Sequence, residues 1–484
     1  MAHPSPDHLL NHIDGRWTAS ATEAVRANVN PADTGDIIGH FTESDAKDAA
    51  AAVDAAHAAA AGWDALGPIK RAEILRSAGR LIEQRRGEFA EAITREQGKR
   101  LAEGHAEVTR SLAILDFTIG EARRINGITT PAEEPRTLAM TFRRPLGVVG
   151  LITPWNFPVA IPMWKVAPAL LSGCTAVLKP SPLTPWTGAL LVQAFTDAGV
   201  PVGVLNLLQG DRDPGAALVA DPRIAGISFT GSLPVGQAIN QAGAARLLRT
   251  QLELGGKNAL IVLADADLEA AVEAILHGAF GQSGQRCSAT SRVIVDRTVK
   301  DDLLALLVPR VRAMRVGPGD EEWADIGPVV NDERQRACLD AVGTARSAGA
   351  RVLCGGGAAD VGTPGYFVEP TVLADVPWDS EIAQEEVFGP VLSVIDCDGY
   401  EDAMRIANSV KYGMSGTIFT GSQSLAMQAL QDFQAGMLHV NRPGTGAYAH
   451  LPHMGTKASQ LGAPECSPEV WDFYTDLRSA CIRY

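Results

Sequence analysis

The chain has 484 residues, of which 46% are hydrophobic and 20% are charged, and its formal net charge is −14. This composition excludes disorder over most of the chain, and the length suffices for two or three domains of about 100–200 residues each. No apolar run reaches the roughly 20 residues of a membrane span, and no basic cluster indicates a nucleic-acid partner. The first residues also lack the pattern of a secretion signal, so we expect a cytoplasmic protein without membrane or nucleic-acid partners.

Seven cysteines are scattered along the chain and form no Cys-x-x-Cys pair. This spacing is typical of neither a disulfide framework nor a zinc ribbon, and we expect no metal site. In a reducing compartment most of these cysteines would be small, buried hydrophobic residues. A reactive cysteine must therefore be identified from its local context.

The N-terminal quarter of the chain has helical patterns. Short polar residues at 42–45 precede an alanine-rich stretch at 46–61, which predicts a capped helix. Pro68 suits the first turn of another helix, and apolar residues then recur at helical spacing up to about residue 125.

Short apolar runs, each followed by a helical pattern, begin near residue 141. They lie at 146–152, 175–178, 204–208, 227–229 and 260–262, and a second series lies at 293–295, 352–353, 391–395 and 417–419. Buried strands that alternate with helices predict α/β units with parallel sheets covered on both faces. Ligands of such sheets bind beyond the carboxyl ends of the strands, so the following loops should carry the chemistry.

Five of these loop segments have an unusual composition. They read TPWNFP at 153–158, KPSPLTP at 179–185, TGS at 230–232, ELGGKN at 253–258 and GQSGQRCS at 281–288. Each segment alone is a weak signal, but their order and spacing are specific. Together with EEVFGP at 385–390, they make the chain resemble the NAD(P)-dependent aldehyde dehydrogenase superfamily from about residue 12 to the end.

The resemblance implies an α/β fold with a Rossmann-like cofactor domain, an α/β catalytic domain and a β oligomerisation arm. The implied domains are 1–125 with 145–253 for NAD(P) binding, 254–446 for catalysis, 126–144 with 468–484 for the arm, and 447–467 for a loop at the aldehyde entrance. The β-like run at 137–142 and the extended pattern at 473–482 are consistent with an arm whose edges another subunit covers. We therefore expect a homodimer or a homotetramer.

Cys287 is the residue that we interpret as the nucleophile. It lies in a glycine-rich, polar stretch at the predicted start of a helix, where free amides and Arg286 would favour a thiolate. Asn156 follows a predicted strand, and its side-chain amide with the Cys287 backbone amide resembles the oxyanion hole of the family.

Glu253 precedes two glycines that let a cofactor and water come close, so its carboxylate can activate water against a thioester. Relatives that transfer the acyl group to coenzyme A commonly lack this glutamate, which favours hydrolysis. A structural protein on this fold would not require Cys287, Asn156 and Glu253 together. Lys165 and Glu465 match positions that the family uses for proton relay.

The resemblance also places cofactor contacts. Lys179 and Ser181 match positions that hold the adenosine ribose, whereas Glu386 matches the residue that binds the nicotinamide ribose, with Phe388 beside the ring. Further candidate contacts are Thr153, Trp155, Gly210, Gly215, Gly231, Ser232, Leu254 and Gly255. The pattern of the turn that contains Gly210 and Gly215 is loose, so a plain turn is nearly as well supported as a phosphate contact.

Pro182 stands where many NAD-specific relatives have a glutamate that pairs with the ribose hydroxyls. Without that carboxylate a 2′-phosphate is not repelled, and Lys179 and Ser181 are available to bind it. We therefore expect NADP or NAD as the cofactor, with NADP slightly favoured.

The segments around Cys287 and Lys179 resemble those of the 2-oxoglutarate semialdehyde (2,5-dioxopentanoate) dehydrogenases. Trp164 replaces an arginine that typical succinate-semialdehyde enzymes use for the substrate carboxylate, which disfavours that substrate. The family pattern PFGGxKxSG reads PHMGTKASQ at 452–460, so His453, Met454 and Gln460 depart from it near the aldehyde entrance. An aliphatic or aromatic aldehyde therefore stays open as an alternative substrate.

Overall fold

The computed structural model describes residues 5–446 and 448–484. The helices are α1 Ala46–Ala65, α2 Gly67–Gln84, α3 Arg86–Gln97, α4 Leu101–Gly120, α5 Ala160–Ser172, α6 Pro185–Asp197, α7 Arg212–Ala220, α8 Leu233–Ala244, α9 Leu268–Phe280, α10 Lys300–Arg312, α11 Asp332–Ser347, α12 Glu381–Gln384, α13 Gly399–Asn408, α14 Gln423–Asp432 and α15 Trp471–Tyr474. Among these described helices, none is both long and apolar enough to cross a membrane.

The strands form two large sheets and three small ones. They are β1 His8–Leu9, β2 Asn11–Ile13, β3 Arg16–Thr18, β4 Val25–Val29, β5 Ile37–Thr42, β6 Thr129–Thr130, β7 Thr137–Pro145, β8 Val148–Ile152, β9 Thr175–Lys179, β10 Leu205–Leu207, β11 Ile224–Thr230, β12 Arg249–Glu253, β13 Asn258–Val262, β14 Thr290–Asp296, β15 Arg351–Cys354, β16 Thr371–Ala374, β17 Val391–Cys397, β18 Tyr412–Gly413, β19 Ser415–Phe419, β20 Met437–Val440, β21 Thr456–Lys457, β22 Gln460–Leu461 and β23 Thr475–Arg483.

The first large sheet has eight strands in the order β22-β12-β11-β8-β9-β10-β2-β3, and the second has seven in the order β15-β16-β17-β14-β13-β19-β20. The central pairs of both sheets are parallel, as the alternation of apolar runs and helices predicts. Alternate residues of one strand pack into different hydrophobic clusters: Ile261 packs into one cluster, and Leu260 and Val262 pack into another. Because side chains of a strand alternate between faces, both faces of this sheet are covered.

Helix α1 shows how local sequence sets a boundary. The side chain of Asp45 accepts hydrogen bonds from the backbone amides of Lys47 and Asp48, which fixes the start at the predicted residue. The helix continues past the predicted end at residue 61 because the side chain of Trp63 is buried and its indole donates to the Leu170 carbonyl, at 2.9 Å. This contact ties α1 to α5.

The apolar runs mark the centres of strands rather than their ends. Strand β11 begins three residues before the predicted run and ends one residue after it, and β14 extends beyond its run at both ends. Polar residues at these ends, such as Thr230 and Thr290, are buried because neighbouring strands supply their backbone hydrogen bonds. Apolar periodicity alone misses such residues.

The sheet topology gathers the unusual loops. Strands β8, β9, β11 and β12 run parallel, so the segments that begin at Thr153, Lys179, Thr230 and Glu253 emerge at one edge of the eight-stranded sheet. The segment 253–258 then crosses to β13 of the seven-stranded sheet. The loop that contains Cys287 leads into β14, the neighbour of β13, so the chemistry-bearing loops meet between the two sheets.

Strands β7 and β23 pair antiparallel along nine residues, from Thr137 opposite Arg483 to Pro145 opposite Thr475, and β6 flanks β7. The extended pattern predicted from residue 473 begins two residues too early. Phe473 and Tyr474 belong to the short helix α15, and both are buried in the large hydrophobic cluster beside the eight-stranded sheet. The paired segment itself is mostly exposed.

Candidate active site

Cys287 lies in a loop between a 3-10 turn at Gly281–Gly284 and strand β14. The predicted helix start at this position is wrong, because the chain passes from the 3-10 turn through a loop into a strand. The loop needs glycine at 284, where φ is +69° and a Cβ atom would lie 2.3 Å from the Gly389 carbonyl oxygen. The glycine-rich composition therefore serves close packing against the segment 385–390 rather than a helix cap.

The surroundings of Cys287 do not favour a thiolate in the free protein. Burial raises the pKa of the thiol well above its usual range, and the negative charge of Glu253 raises it further. The positive charge of Arg110 lowers this pKa, but it does not outweigh the other two effects. The prediction of a favoured thiolate is thus wrong for this state, and a base must take the proton before the sulfur can attack.

Glu253 is the last residue of β12 and is 1% exposed. Among the described residues, neither of its carboxylate oxygens has a hydrogen-bond partner. A buried carboxylate without donors is costly, and it points to a group or water that the site receives. Glu253 therefore lies in a position that is consistent with the predicted role of a base that activates water.

His453 is the residue whose position the sequence analysis did not predict. Its Nε2 lies 3.8 Å from the Cys287 sulfur and 3.5 Å from Glu253 Oε1. Its ring packs on Trp164, with ring centroids 4.8 Å apart. The departure from the phenylalanine of the family pattern was visible in the sequence, but only the fold shows that it brings an imidazole close to the Cys287 sulfur.

Asn156 is held beside the cysteine loop. Its side-chain amide donates to the Gln285 carbonyl at 3.1 Å, two residues before Cys287. Its own carbonyl accepts from Lys99 Nζ at 2.7 Å, and that buried ammonium also pairs with Glu107. Lys99 therefore fixes the Asn156 loop, although no sequence signal singled it out.

Asn258 fixes the other side of the cysteine loop. Its side-chain amide donates to the carbonyls of Cys287 and Ala289, both at 2.8 Å, and its side-chain oxygen accepts from the Ser415 amide at 2.9 Å. The segment ELGGKN marked this position in the sequence, but Asn258 itself was not among the predicted site residues.

Lys165 and Glu465 form a buried ion pair, although they are 300 residues apart in the chain. Lys165 Nζ also donates to Ser228 Oγ at 2.7 Å. The backbone of Glu465 exchanges two hydrogen bonds with the backbone of His453. The two residues predicted for proton relay thus lie together, and Glu465 adjoins His453.

A cleft of about 130 Å³ opens from Cys287 toward the eight-stranded sheet. A side chain at position 255 would clash there, since its Cβ would lie 2.4 Å from Glu386 Oε2. The predicted cofactor residues that line this cleft are Trp155, Gly231, Ser232, Leu254, Gly255, Glu386 and Phe388, beside Asn156, Glu253 and Cys287. Burial raises the pKa of Glu386 to about 7, and its carboxylate accepts from the Gly256 amide at 2.8 Å.

The remaining cofactor candidates lie around Lys179. Its ammonium donates to the carbonyls of Pro180 and Gly210, at 2.8 and 3.1 Å, and burial lowers its pKa to about 8. A Cβ at position 215 would lie 3.4 Å from the Lys179 side chain, and the Thr153 amide donates to the Lys179 carbonyl at 3.1 Å.

Two further candidates belong to the loop after Lys179. Ser181 is buried, and its hydroxyl accepts from the Leu183 amide at 3.2 Å. Pro182 is half-buried in the same loop.

A second cavity of about 490 Å³ lies on the other side of Cys287. Its lining combines Phe157, Trp164 and Met314 with polar and charged side chains, among them Arg110, Arg286 and His453. Because Cys287 lines both this cavity and the cleft, its sulfur stands between two separate binding spaces. Such an arrangement suits a reaction in which two molecules approach the sulfur from opposite sides.

Comparison with known proteins agrees with the motifs. Residues 17–480 match the sequence pattern described as the aldehyde dehydrogenase family. The chain is 39% identical to the alpha-ketoglutaric semialdehyde dehydrogenase of Bacillus subtilis, over 98% of both chains.

Two solved structures show the same fold. The NADP-dependent enzyme of E. coli has a TM-score of 0.96 at 32% identity, over 99% of both chains. The betaine aldehyde dehydrogenase of Staphylococcus aureus in complex with NAD⁺ has a TM-score of 0.95 at 31% identity, over 98% of this chain and 95% of that one. The chain belongs to the aldehyde dehydrogenase family, as its motifs predict, and is an NAD(P)-dependent aldehyde dehydrogenase.

Proposed function

We propose that the protein oxidises an aldehyde that carries a carboxylate, and that 2-oxoglutarate semialdehyde is its substrate. The observation that carries this proposal is the pair of guanidinium groups, Arg110 and Arg286, in the cavity beside Cys287. Arg286 is 8% exposed, and among the described residues its Nε has no hydrogen-bond partner. A substrate carboxylate would supply the missing acceptor, because guanidinium groups bind carboxylates through paired hydrogen bonds.

The acidic side chains of this cavity offset that attraction only in part, through the charge of Glu103 on Arg286. Each of them is paired with a cation other than Arg110 and Arg286. The pairs are Glu103 with Arg100, Glu107 with Lys99, and Asp325 with Arg315. The name of the relative from Bacillus subtilis agrees with a carboxylated aldehyde, and an uncharged aliphatic or aromatic aldehyde is the alternative that the test below separates.

The residues of the cleft fit a nicotinamide dinucleotide. Gly255 lets the Glu386 carboxylate approach the backbone of the cleft, and the buried hydroxyl of Thr230 has no partner among the described residues. When bound, NADP or NAD supplies the hydride acceptor. Trp155, Ser232, Glu386 and Phe388 would hold it beside Cys287, with Lys179 and Ser181 at its adenosine end.

The chain's own residues perform the remaining chemistry. Cys287 adds to the aldehyde carbon once its proton has moved to Glu253 or His453, whose nearest atoms lie within 4.8 Å of the sulfur. The Asn156 amide donates to the aldehyde oxygen as that atom gains negative charge. After oxidation, Glu253 takes a proton from the water that cleaves the Cys287 thioester, and Lys165 and Glu465 pass that proton onward.

Replacement of Arg110 by glutamine tests the substrate class. The kcat/KM for 2-oxoglutarate semialdehyde should fall by about 10- to 150-fold, because one charge-assisted hydrogen bond is lost. The kcat/KM for pentanal, an uncharged aldehyde of the same length, should change much less. Arg123→Gln, which alters an exposed arginine just after the same helix, is the matched control. Equal losses for both aldehydes would refute recognition of the carboxylate by Arg110.

The pKa of Cys287 gives a second prediction. Because the pKa of this thiol is raised, alkylation by iodoacetamide should be slow at neutral pH and accelerate as the pH rises. In Glu253→Gln the nearby negative charge is gone, so the pKa falls and alkylation at about pH 8 should be on the order of tenfold faster. Glu385→Gln removes an exposed carboxylate that pairs with Lys411 and should leave the rate unchanged. An unchanged rate in Glu253→Gln would show that Glu253 does not control the thiol.

We infer that the protein accepts both cofactors and slightly favours NADP. Pro182 offers no carboxylate to repel a 2′-phosphate, and the buried ammonium of Lys179 offers a positive charge. Glu43 and Asp211 also act on Lys179, but both carboxylates are paired with Arg26. The net field at this end of the cleft therefore does not exclude a phosphate.

Replacement of Pro182 by glutamate tests this inference. The new carboxylate should lower the affinity for NADP relative to NAD by about 5- to 150-fold, because it faces the 2′-phosphate. Fluorescence titrations with both reduced cofactors measure the ratio. Pro201→Glu, at the amino end of β10 and so at the opposite sheet edge, adds the same charge as a control. An unchanged ratio in Pro182→Glu would place the 2′ position elsewhere.

We also propose that the protein is a homodimer or a homotetramer. The arm formed by β6, β7 and β23 carries exposed apolar side chains, which include Ile128, Leu138, Leu477 and Ile482. Exposed apolar residues on a narrow ribbon with open edges indicate a surface that another subunit covers.

Seven free cysteines agree with a reducing compartment such as the cytoplasm.

Charges on the arm test the assembly. The double variant Leu477→Asp/Ile482→Asp keeps the pairing of β7 with β23 but places two carboxylates on the proposed contact. Light scattering of the wild-type protein should give a mass of two or four chains, and the variant should give a smaller assembly or a single chain. An unchanged mass, or a wild-type monomer, would contradict this role of the arm.

A further inference from the structure

Three side chains that can each bind a metal ion lie close together, and Cys287 is one of them. The Cys–His–Glu cluster consists of Cys287, His453 and Glu253, and all three are buried. The imidazole Nε2 lies 3.8 Å from the sulfur and 3.5 Å from Glu253 Oε1, and all three ligand atoms lie within 4.8 Å of one another. The residues come from three separate segments, so the fold alone brings them together.

These separations are close to the edges of a zinc tetrahedron. With Zn–S near 2.3 Å and Zn–N and Zn–O near 2.1 Å, tetrahedral angles give S···N and N···O edges of about 3.6 and 3.4 Å. The observed S···N and N···O separations exceed these values by about 0.1–0.2 Å, and the S···O separation is at most 4.8 Å. Side-chain shifts that shorten the S···O edge by about 1.2 Å at most, to about 3.6 Å, would allow all three atoms to bind one Zn²⁺.

An independent observation also points to a ligand at this position. Glu253 is 1% exposed, and among the described residues both of its carboxylate oxygens lack a hydrogen-bond partner. The ring of His453 is held by Trp164, which limits the rotation of the imidazole away from the cluster. A buried carboxylate that faces a thiol and an imidazole has the donor set that Zn²⁺ prefers.

We propose that the Cys–His–Glu cluster binds Zn²⁺ and that the bound metal reversibly blocks the enzyme. On binding, the Cys287 thiol releases its proton to water, and the metal takes up the thiolate, the neutral imidazole and the carboxylate. The two anionic ligands neutralise the charge of Zn²⁺, which favours its transfer into a buried site. Cys287 and His453 line the 490 Å³ cavity and Glu253 lines the 130 Å³ cleft, so water from either space can complete the coordination of the metal.

Inhibition follows because the sulfur lone pair that would attack the aldehyde is engaged with the metal. This part of the proposal rests on the proposed role of Cys287 as the nucleophile, whereas metal binding itself does not. The two parts are therefore separable by experiment. His453 is the member of the cluster that departs from the family pattern, so His453→Phe restores the usual residue.

Binding is measured first, on the full-length protein freed of metals with EDTA and then dialysed. Competition with a chromogenic chelator should give one Zn²⁺ per chain, and His453→Phe should bind at least 10- to 100-fold more weakly. His277→Phe alters another histidine of the same cavity outside the cluster and should bind as the wild-type protein does. Co²⁺ should give a sulfur-to-cobalt charge-transfer band that Cys287→Ser lacks.

Activity is measured next, with each variant compared with its own metal-free rate. Zn²⁺ should inhibit the wild-type protein and His277→Phe, EDTA should restore the rate, and His453→Phe should be at least tenfold less sensitive. Equal affinity of wild-type protein and His453→Phe for Zn²⁺, or no Co²⁺ band, would overturn the metal site. A Zn²⁺-loaded protein that keeps full activity would overturn the inhibition but not the metal site, whereas the activity of Cys287→Ser without added metal tests the proposed nucleophile separately.

Discussion

The site depends on one crossing of the chain between the two large sheets. The segment 253–258 starts with Glu253 at the end of β12 and finishes with Asn258 at the start of β13. Asn258 holds the cysteine loop through two carbonyls, and a Cβ at position 256 would lie 2.6 Å from the Cys287 carbonyl oxygen. The proposed base and the proposed nucleophile are therefore positioned by one short peptide.

That placement has an electrostatic consequence. A thiol and a carboxylate that accepts no hydrogen bond from the described residues lie together in a buried site, where burial and the charge of Glu253 raise the pKa of the Cys287 thiol. Burial without compensating donors lowers stability, and proteins keep such groups where their reactivity is used. The same lack of partners leaves the Cys–His–Glu cluster open to a cation. One arrangement thus accounts for both the proposed chemistry and its proposed inhibition.

Local sequence predicted the secondary structure well where the signal was periodic. The capped start of α1 at Asp45 and the parallel strands of both sheets follow from side-chain pattern and from burial on both faces. The predicted ends of strands were less accurate. Thr230 and Thr290, for example, are polar, and they belong to strands only because neighbouring strands pair with them. The limits of the domains stay predictions.

The site, too, was predicted in part from the sequence. The unusual composition of the loops that follow strands predicted where the site lies. Cys287, Glu253 and Asn156 lie together, as the resemblance implied. Contacts between distant segments could not be predicted from the sequence, because they depend on packing. They are the hydrogen bonds of Asn258 to the cysteine loop, the hydrogen bond of Lys99 to Asn156, and the approach of His453 to the Cys287 sulfur. The expected helix start at Cys287 failed because the glycines there serve a tight turn against Gly389.

The central claim is that Cys287 carries the acyl group and that Glu253 releases it. The most direct measurement is mass spectrometry of Glu253→Gln after brief mixing with the aldehyde and NADP, followed by acid quenching and peptide mapping. The account predicts one acyl group per chain, on the peptide that contains Cys287, while the wild-type protein under steady turnover retains far less. An adduct on another cysteine, or reduced cofactor formed without any adduct, would contradict it.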